Sequence, residues 1–516
     1  MLLRTKSLIV FLCLLCLSSV ALVRHLYMSR HATIAEWLPA LKGHPVNPCP
    51  DNLDWLPNLD LTYPIRYARR DILVNPNPDR KRASITKVDA SLFPDFQTID
   101  LTDDPKIELQ HCAEPLIFDV PAFAEGPSDA SHLLFGISTT LRRLNQSIPQ
   151  LLRWLPGTHA KLFVIVIESE RVGATEGQEE TPAVKADPKH KDELQSRMRG
   201  LGMDATLFDP LALQDIFSEK YFSMVKIIYD NRNEKTQWIN LVDDDTFFPS
   251  MPALVSMLGK YDPREQHYIG GLSEDWWSVT KYGMMGFGGA GVFLSITLAE
   301  VLASNYRLCK ESSHANAGDI RVMECIHLLT DTKLTSERNL HQVDLDGDLS
   351  GIYESGRLPL SLHHWKTKGN GGKGYNLPVM HLVSDVCGEC FLQRWQFGKD
   401  TILSNGYSIA MYPNKKLKEL HLMEMEATWS EPTVVDGSDN RGIDHSLTPT
   451  RPALRLDEEK FQYKLIDSAV VEGGVRQSYL HKGHAGDIDS LLELFWMENK
   501  KEVEAEGRLG VVGNKG

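Results

Sequence analysis

The sequence has no excess of basic residues. Its 516 residues include 69 Asp or Glu and 55 Lys or Arg, and the formal net charge at pH 7 is −14. A polyanionic partner requires a clustered basic surface. The composition therefore argues against nucleic acid or an anionic membrane surface as the partner. The hydrophobic fraction of 42% is ordinary for a globular protein, and the length exceeds that of one ordinary domain.

Cysteine is also scarce, with eight residues, of which two lie in an apolar N-terminal run. The other six permit three disulfides in an oxidising compartment. We expect Cys309 to pair with Cys325, because these residues flank a compact loop. The Cys-Gly-Glu-Cys segment at 387–390 resembles half of a zinc site, but no second close pair completes it, which favours disulfide bonding. The sequence does not settle the partners of the four others: Cys49, Cys112, Cys387 and Cys390.

The N-terminus carries an apolar run without a charged residue, residues 7–23, preceded by Arg4 and Lys6. The run is short for a membrane span and long for the core of a cleaved signal peptide. We favour an uncleaved signal-anchor with residues 1–6 in the cytosol, and cleavage is the alternative. Both interpretations predict a luminal chain. We therefore expect a single-pass type II protein of the Golgi or ER membrane, in which the sequon at Asn145 can be glycosylated.

The remainder of the chain divides into segments of different composition. Residues 24–130 are rich in Pro, Asp and Asn and predict a luminal stem. Strand and helix patterns alternate over 131–400, which predicts an α/β domain with a mostly parallel sheet. Residues 401–498 alternate as strands do and predict a small β-rich accessory domain. Residues 499–516 predict a disordered tail.

The first clear pattern of regular structure is that of a buried strand at residues 132–137. A polar turn and a helical pattern over 141–152 follow it. Strand, polar turn and helix are the opening of a nucleotide-binding βαβ unit. The turn consists of Ser138, Thr139 and Thr140. Its hydroxyl and amide groups suit a ribose or a phosphate, and they suit plain helix capping equally well.

Three aspartates, Asp243, Asp244 and Asp245, close an apolar strand-like run at 238–242. Alternation along a strand sends the outer two carboxylates to one side and the middle one to the other. Carboxylates at the carboxyl end of a buried strand are hard ligands placed where open α/β sheets bind their ligands. The pattern predicts a divalent-cation site, and a solvated acidic loop is the alternative.

Glycine is dense between residues 286 and 291, where four of six positions are glycine. The absence of side chains lets the backbone approach a bulky ligand closely. The alternative is a tight turn before the helix predicted at 297–305. The residues we assign to binding are Gly288, Gly289, Ala290 and Gly291.

These motifs resemble those of the Fringe-like glycosyltransferases, especially their fungal and plant relatives, over roughly residues 130–400. The shared elements are the aspartate run, Tyr-Ile-Gly-Gly at 268–271, Gly-Gly-Ala-Gly at 288–291, an acidic residue just before a cysteine, and a late histidine pair. The resemblance implies a GT-A fold with a Rossmann-like, mixed, mostly parallel sheet. It also implies a UDP-sugar donor, Mn²⁺, and inverting transfer of a hexose or N-acetylhexosamine to a glycan or glycoprotein acceptor.

Carried over by residue, the resemblance gives Asp245 direct contact with the metal and Asp243 contact with the nucleotide or a metal-bound water. Asp244 belongs to the nucleotide-sugar site in the same way. The resemblance places the general base in the segment after the glycine turn, where Asp319 is the first candidate and Glu324 the second. Inversion requires a carboxylate that takes the acceptor proton on the face opposite the departing UDP. Capping of the following helix is the alternative role of Asp319. The sequence lacks the paired aspartates that Fringe itself carries before the cysteine.

The histidine pair, His363 and His364, resembles the family's late histidine, which completes metal coordination through a neutral imidazole. His364 aligns slightly better. Two tryptophans before the glycine turn, Trp276 and Trp277, suit stacking on an acceptor sugar, or packing in the core. The resemblance extends loosely to the donor-binding residues Ser138, Thr139, Thr140 and Arg142.

Two other classes compete with this interpretation. A phosphotransferase with an Asp-x-Asp-x-Thr nucleophile is disfavoured, because Phe247 stands where that motif requires threonine. A catalytically inactive GT-A module that binds carbohydrate is the stronger rival. The joint presence of Asp245, Asp319 and His364 argues against it, because a binding module needs no general base.

Overall fold

The computed structural model describes residues 53–102, 113–122, 127–169, 183–366, 374–429, 447, 449–483 and 486–499. The predicted signal-anchor, Cys49, Cys112 and the predicted tail beyond Asn499 lie outside the described residues. Within these ranges, every helix falls short of the length and apolarity that crossing a bilayer requires.

The strands are numbered here in chain order over the described ranges. They are β1 (Ile65–Asn77), β2 (Ile85–Val88), β3 (Gln97–Ile99), β4 (Leu116–Pro121), β5 (Leu133–Thr139), β6 (Lys161–Val166), β7 (Glu168–Ser169), β8 (Ala183–Val184), β9 (Asp204–Phe208), β10 (Trp238–Leu241), β11 (Tyr268–Gly270), β12 (Val292–Ser295), β13 (Leu334–Ser336), β14 (Leu340–His341), β15 (Ser361–Leu362), β16 (Arg394–Phe397), β17 (Thr401–Ser404), β18 (Ser408–Met411), β19 (Met425–Ala427), β20 (Thr450–Pro452), β21 (Phe461–Val471), β22 (Gly474–His481) and β23 (Ser490–Glu498).

The α-helices are numbered in the same way. They are α1 (Leu141–Leu151), α2 (Pro188–Gly200), α3 (Phe217–Asp230), α4 (Met251–Leu258), α5 (Trp276–Tyr282), α6 (Ile296–Ser304), α7 (Tyr306–Ser312), α8 (Gly318–Leu329), α9 (Ser350–Tyr353) and α10 (Ser384–Cys387).

Seven strands form what we call the site sheet, in the order β13-β11-β12-β10-β5-β6-β9. Strands β10, β5, β6 and β9 are parallel neighbours, and β12 runs antiparallel between β10 and β11. The sheet is therefore mixed and mostly parallel, with helices against it, and the predicted α/β fold class is confirmed.

Both faces of the site sheet are covered, which explains why its strands read as continuous apolar runs rather than as alternating patterns. All residues of β5 and β10 are buried. On one face, Leu134 and Ile239 pack with residues of α3, α6 and α8. On the other face, Phe135 and Trp238 belong to a core that continues into a second sheet.

This second, ten-stranded sheet, which we call the flanking sheet, joins the two ends of the described chain. Its order is β2-β16-β17-β18-β21-β22-β23-β1-β3, with β4 paired to β1. Strand β1 lies parallel to β23, so that Tyr67 is opposite Leu491. Part of the segment predicted as a stem, residues 65–121, thus supplies four strands of this sheet. Its partner strands lie at the far end of the sequence, where no local pattern reveals them.

Two disulfides are present among the described cysteines. Cys309 of α7 is bonded to Cys325 of α8, the pair favoured by the sequence. Cys387 is bonded to Cys390 at the end of α10. The Cys-Gly-Glu-Cys segment therefore forms a disulfide, as expected, instead of half a zinc site.

Candidate active site

The three aspartates emerge from the carboxyl end of β10 and separate as strand alternation predicts. Asp243 Oδ2 and Asp245 Oδ1 both face the imidazole of His363, at 3.3 and 3.1 Å from Nε2. Asp244 faces the opposite way and pairs with Arg143, whose Nε and Nη2 lie 2.7 and 2.6 Å from the carboxylate. Thr139 Oγ1 also donates to Asp244. The outer carboxylates are thus available to a ligand, while the middle one anchors β10 to α1.

The histidine between the outer carboxylates is held from behind. His363 Nδ1 lies 3.2 Å from the carbonyl oxygen of Gln342. A carbonyl oxygen only accepts hydrogen bonds, so Nδ1 carries a hydrogen and Nε2 is directed at the carboxylates. This second partner fixes the orientation of the ring, as is usual for histidines that bind metals.

The electrostatics of this cluster are strongly perturbed. Burial alone would lower the pKa of His363, but its contacts with Asp243 and Asp245 raise that pKa to about 10. Burial alone would raise the pKa of Asp245, but His363, His364 and Arg143 lower it to about 2. Asp245 is therefore ionised at neutral pH, and it shares with Asp243 a cationic imidazole whose Nε2 proton a metal ion can replace.

The donor atoms suit a divalent cation. Asp245, His363 and His364 each offer a ligand atom, and these atoms lie within 4.8 Å of one another. Asp245 Oδ1 is buried and lacks a well-aligned hydrogen-bond donor within the described part of the chain, although His363 contacts it as an ion pair. A cation would satisfy this oxygen. Imidazole nitrogen together with carboxylate oxygen is a ligand set that transition metals accept. The structure brings both histidines to this point, so the sequence's preference for His364 is not settled.

His364 adopts a left-handed backbone, with φ of 50°. This conformation is uncommon for residues other than glycine and is concentrated at functional sites. It places consecutive rings nearly perpendicular, at 86°, with centroids 3.7 Å apart. Neighbouring residues in a regular strand would point to opposite faces, so this backbone is what allows two consecutive histidines to serve one cation.

Asp319 lies in the first turn of α8 and is tied to the glycine turn. The backbone amide of Gly288 donates to Asp319 Oδ2 at 3.0 Å, and that of Ile320 donates to Oδ1 at 2.9 Å. Asp319 therefore bonds an amide of its own helix and an amide of the turn. Burial raises the pKa of its carboxyl, and Asp243 adds to this effect against the bond from Gly288. A raised pKa makes a carboxylate a stronger base.

The second candidate base, Glu324, lies further along α8, where its carboxylate accepts from Ser313 Oγ at 2.5 Å. It has no part in the bonds that join Asp319 to the glycine turn. The geometry therefore favours Asp319.

The glycine turn, a 3₁₀ turn over Gly288–Ala290, packs against His363 of the aspartate–histidine cluster. A side chain at Gly289 would collide with the imidazole of His363. The carbonyl of Gly289 accepts from Thr246 Oγ1 at 2.8 Å, and the amide of Ala290 donates to Gln342 Oε1 at 2.7 Å. The turn thus connects the aspartate run, the segment behind His363 and Asp319.

The residues predicted to begin the donor site lie in three different environments. Thr140 caps α1, because its Oγ1 accepts from the amide of Arg143 at 3.1 Å. Ser138 is buried, and its hydroxyl has no hydrogen-bond partner among the described residues. Arg142 is exposed on α1. The adjacent Arg143, which sequence reasoning missed, is the arginine that reaches the aspartate run.

Lys366 is a second residue that sequence reasoning missed. Burial lowers the pKa of its ammonium group, while Asp245 and Asp244 act in the opposite direction. Its Nζ lies 5.0 Å from the ring centroid of Trp365. The lysine follows the histidine pair closely, but lysines after histidine pairs carry no specific signal in a single sequence.

The predicted acceptor residues lie on α5. The structure describes the backbone of Trp276 but not its side chain, whereas Trp277 is 40% exposed. Lys281 Nζ lies 4.3 Å from the ring centroid of Trp277. Val279 of the same helix packs in a cluster with Ile320 of α8. Helix α5 therefore shares a hydrophobic cluster with the helix that carries Asp319, and Trp277 is turned to solvent.

The predicted glycosylation site, Asn145, lies on the exposed side of α1. Its Oδ1 accepts from Arg197 Nη1 at 2.6 Å. Glycosylation stays a prediction.

A second concavity, of about 940 Å³, lies at the opposite edge of the site sheet. It is lined near the beginnings of β5, β6 and β9 by residues such as Ser131, Lys161 and Asp204. Ligands of open α/β sheets bind at the carboxyl ends of the strands. We therefore locate the candidate site at the aspartate cluster and not in this concavity.

A family model described as "Protein of unknown function, DUF604" matches residues 278–369. The matched segment includes the glycine turn, Asp319 and both histidines. No curated protein sequence matches the chain. The Fringe-like resemblance therefore stays a prediction.

The chain is similar to several solved glycosyltransferase structures. For GlyE of Streptococcus pneumoniae TIGR4, identity is 15% and the TM-score 0.29, with 47% of this chain and 57% of that chain covered. The mannosyltransferase PcManGT of Pyrobaculum calidifontis, in complex with GDP-Man and Mn²⁺, shows 11% identity, coverage of 44% and 60%, and a TM-score of 0.27. Mouse xyloside xylosyltransferase 1, in its apo form, shows 11% identity and a TM-score of 0.26, with 40% of this chain and 84% of that chain covered. The chain thus spans less than two thirds of the pneumococcal protein.

Proposed function

We propose that the chain is a metal-dependent glycosyltransferase that transfers a hexose or N-acetylhexosamine from a UDP-sugar to a glycan or glycoprotein. One observation carries this proposal. Asp243, Asp245 and the histidine pair converge at the carboxyl end of β10, and the glycine turn that packs on them also binds the separate carboxylate of Asp319. A cation site next to a carboxylate of raised pKa is the combination that an inverting sugar transfer requires.

In this proposal, Asp245, His363 and His364 hold the cation, and Asp243 contacts the nucleotide or a metal-bound water. A divalent cation such as Mn²⁺ supplies Lewis-acid stabilisation of the charge that develops on the departing diphosphate. Gln342 keeps Nε2 of His363 directed at the site through its bond to Nδ1. Lys366 interacts electrostatically with Asp245 and Asp244 and contributes positive charge near them.

Asp319 is the proposed general base. It takes the proton from the acceptor hydroxyl, whose oxygen forms a bond to the anomeric carbon while the bond from that carbon to the UDP oxygen breaks. Attack on the face opposite UDP inverts the configuration and gives a β-linkage from an α-linked donor. The bonds from Gly288 and Ile320 hold the carboxylate in place before the acceptor arrives.

Acceptor binding is assigned to the surface beside α8. Trp277 presents an exposed aromatic face on a helix that shares a hydrophobic cluster with the helix of Asp319. Sugar rings stack on such faces through their apolar C–H groups. In the same proposal the enzyme acts in the lumen of the Golgi or ER, anchored by the N-terminal segment.

The rival function is a GT-A module that binds carbohydrate without catalysis. It accounts for the metal cluster, because a binding module can also retain a nucleotide site. It gives no reason for a carboxylate of raised pKa fixed to the glycine turn. We therefore favour the enzyme.

The test is an assay of the purified full-length protein with UDP-GlcNAc, UDP-galactose and UDP-glucose, each with Mn²⁺ or with EDTA. We expect hydrolysis of one donor in Mn²⁺ and its loss in EDTA. Binding of UDP in Mn²⁺ without turnover of any donor, and without transfer to glycoprotein acceptors, would instead support the binding module.

A further inference from the structure

The hydroxyl of Tyr221, on α3, is buried next to the candidate site and has no hydrogen-bond partner among the described residues. A buried O–H without an acceptor destabilises the folded protein, and such groups are rare in native structures. Phenylalanine would fill the same space without this loss. An unpaired hydroxyl at such a position therefore calls for a functional explanation.

The ring of Tyr221 lies against two glycines. Its base faces Gly318, where any side chain would collide with the ring. Its hydroxyl end faces Gly288, where an added Cβ would lie 2.6 Å from the hydroxyl oxygen. Two glycines thus make room for one aromatic ring, which runs from the start of α8 to the glycine turn.

Asp319 connects these same two segments. It follows Gly318 and accepts from the amide of Gly288. The added Cβ at Gly288 that would contact the tyrosine hydroxyl would also lie 3.6 Å from Asp319 Cβ. The tyrosine hydroxyl and the side chain of Asp319 therefore both lie close to the position of that added Cβ, on the same side of the glycine turn. The pKa of Tyr221 is raised by burial, and then by Asp243 and Asp319.

We propose that Tyr221 is a positioning residue for the base: its hydroxyl donates a hydrogen bond to the Asp319 carboxylate through one water. The inference rests on the proposed function, in which Asp319 takes the acceptor proton. A donor to an ionised carboxylate favours its charged form. The tyrosine would thus keep the base ionised and directed at the acceptor. Gly288 and Gly318 leave the space that the tyrosine ring occupies.

The decisive variant is Tyr221→Phe, which keeps the ring and removes only the hydroxyl. We expect kcat to fall about 10- to 100-fold, as for the loss of a hydrogen bond to a charged group. The acid limb of the kcat profile should move to higher pH, and the affinity for UDP in Mn²⁺ should be unchanged. In the Asp319→Asn background the additional loss should be less than about twofold.

The matched control is Tyr306→Phe. Tyr306, the first residue of α7, also has a buried hydroxyl without a hydrogen-bond partner among the described residues. Its ring stacks on Phe222 of α3, and Asp215 and Glu219 are its acidic neighbours. Wild-type kcat and pH dependence are expected for this variant. A mere packing role for Tyr221 predicts the same result for both variants.

The outcomes separate the two proposals. If Tyr221→Phe keeps the kcat and the acid limb of the wild type, the inference is overturned and the proposed enzymatic function still stands. A loss of Mn²⁺-dependent UDP affinity in Tyr221→Phe would also overturn the inference without affecting the proposed function. If the wild type turns over no donor, ¹³C NMR titration of Asp319, assigned with Asp319→Asn, still decides. A higher Asp319 pKa in Tyr221→Phe than in wild type would support the contact, and equal values would refute it.

Discussion

The two sheets of this protein treat buried charge in opposite ways. In the flanking sheet, Glu493 accepts hydrogen bonds from Trp55, Tyr67 and Ser478 at 2.6 to 2.9 Å. In the site sheet, Asp245 and Asp243 compete for one imidazole, and a buried oxygen of Asp245 lacks a well-aligned donor among the described residues. Paired charge holds a structure together, whereas incompletely satisfied charge indicates a ligand.

Lys460 shows the same contrast on the cationic side. This fully buried residue immediately precedes β21 of the flanking sheet, and its Nζ lies 3.0 Å from Glu354 and 3.1 Å from Glu426. These carboxylates outweigh burial and raise its pKa. Both carboxylates also have further partners, because Arg451 pairs with Glu426 at 2.8 Å and Gln462 Nε2 donates to Glu354 at 2.6 Å. The buried oxygen of Asp245 lacks a further partner of this kind among the described residues, so an incoming cation would be stabilised at the aspartate cluster and not beside Lys460.

The largest expected effect would separate catalysis from folding. Asp319→Asn removes the proposed base and should lower kcat about 10²- to 10⁴-fold, as general-base catalysis contributes. Steady-state kinetics measures this loss, and UDP affinity in Mn²⁺ should be unchanged. The control is Glu324→Gln on the same helix, which should keep near wild-type kcat. Equal losses in both variants would remove the special role of Asp319.

A change in the flanking sheet should have the opposite profile. Glu493→Ala leaves the donors of Trp55, Tyr67 and Ser478, of which the last two are buried, without their acceptor and should lower the free energy of unfolding by about 3–5 kcal/mol. Urea unfolding measures this, and activity per folded molecule should be retained. Glu498→Ala, on the exposed end of the same strand, should stay within about 0.5 kcal/mol of wild type. A stable Glu493→Ala protein with a specific loss of activity would break the comparison.

Binding of the cation should stabilise only a protein with an intact site. At a Mn²⁺ concentration one hundred times its Kd, linkage adds about 2.7 kcal/mol to the free energy of unfolding. Thermal unfolding with and without Mn²⁺ measures this increase. Asp245→Ala should lose it, while Glu498→Ala should retain it. A shift of the same size in Asp245→Ala would place the metal elsewhere.

The smallest expected effect concerns pH. Burial raises the pKa of Asp319 above the ordinary value of 3.8. A base works only when ionised, so kcat should fall as the pH falls through this raised pKa. The acid limb of the kcat profile should therefore lie above pH 3.8. A limb at or below that value would show that burial does not tune this carboxylate.

Local patterns predicted the centre of the site sheet, because strand and helix periodicity need only neighbouring residues. The opposite directions of Asp244 and its two neighbours followed from strand alternation alone. Membership of the flanking sheet was not predictable in this way. Strand β1 pairs with β23, which lies at the other end of the described chain. The Pro- and Asn-rich end of β1 is typical of a stem, and the sequence therefore predicted one there.

The site residues divide along the same line. Asp245, Asp319 and the histidine pair stand in motifs that the sequence displays. Arg143 could not be distinguished from Arg142 before the start of α1 was known. The position of the Tyr221 hydroxyl depends on Gly288 and Gly318, which are far from it in the chain. Only the folded structure shows that these residues are neighbours.

The central claim is that the aspartates and histidines at the end of β10 hold a cation for the nucleotide. Isothermal titration of UDP into wild type and Asp245→Ala, each in Mn²⁺ and in EDTA, tests it most directly. We expect Mn²⁺ to increase UDP affinity in wild type and to have little effect in Asp245→Ala. Equal UDP affinity of the two proteins in Mn²⁺ would contradict the claim.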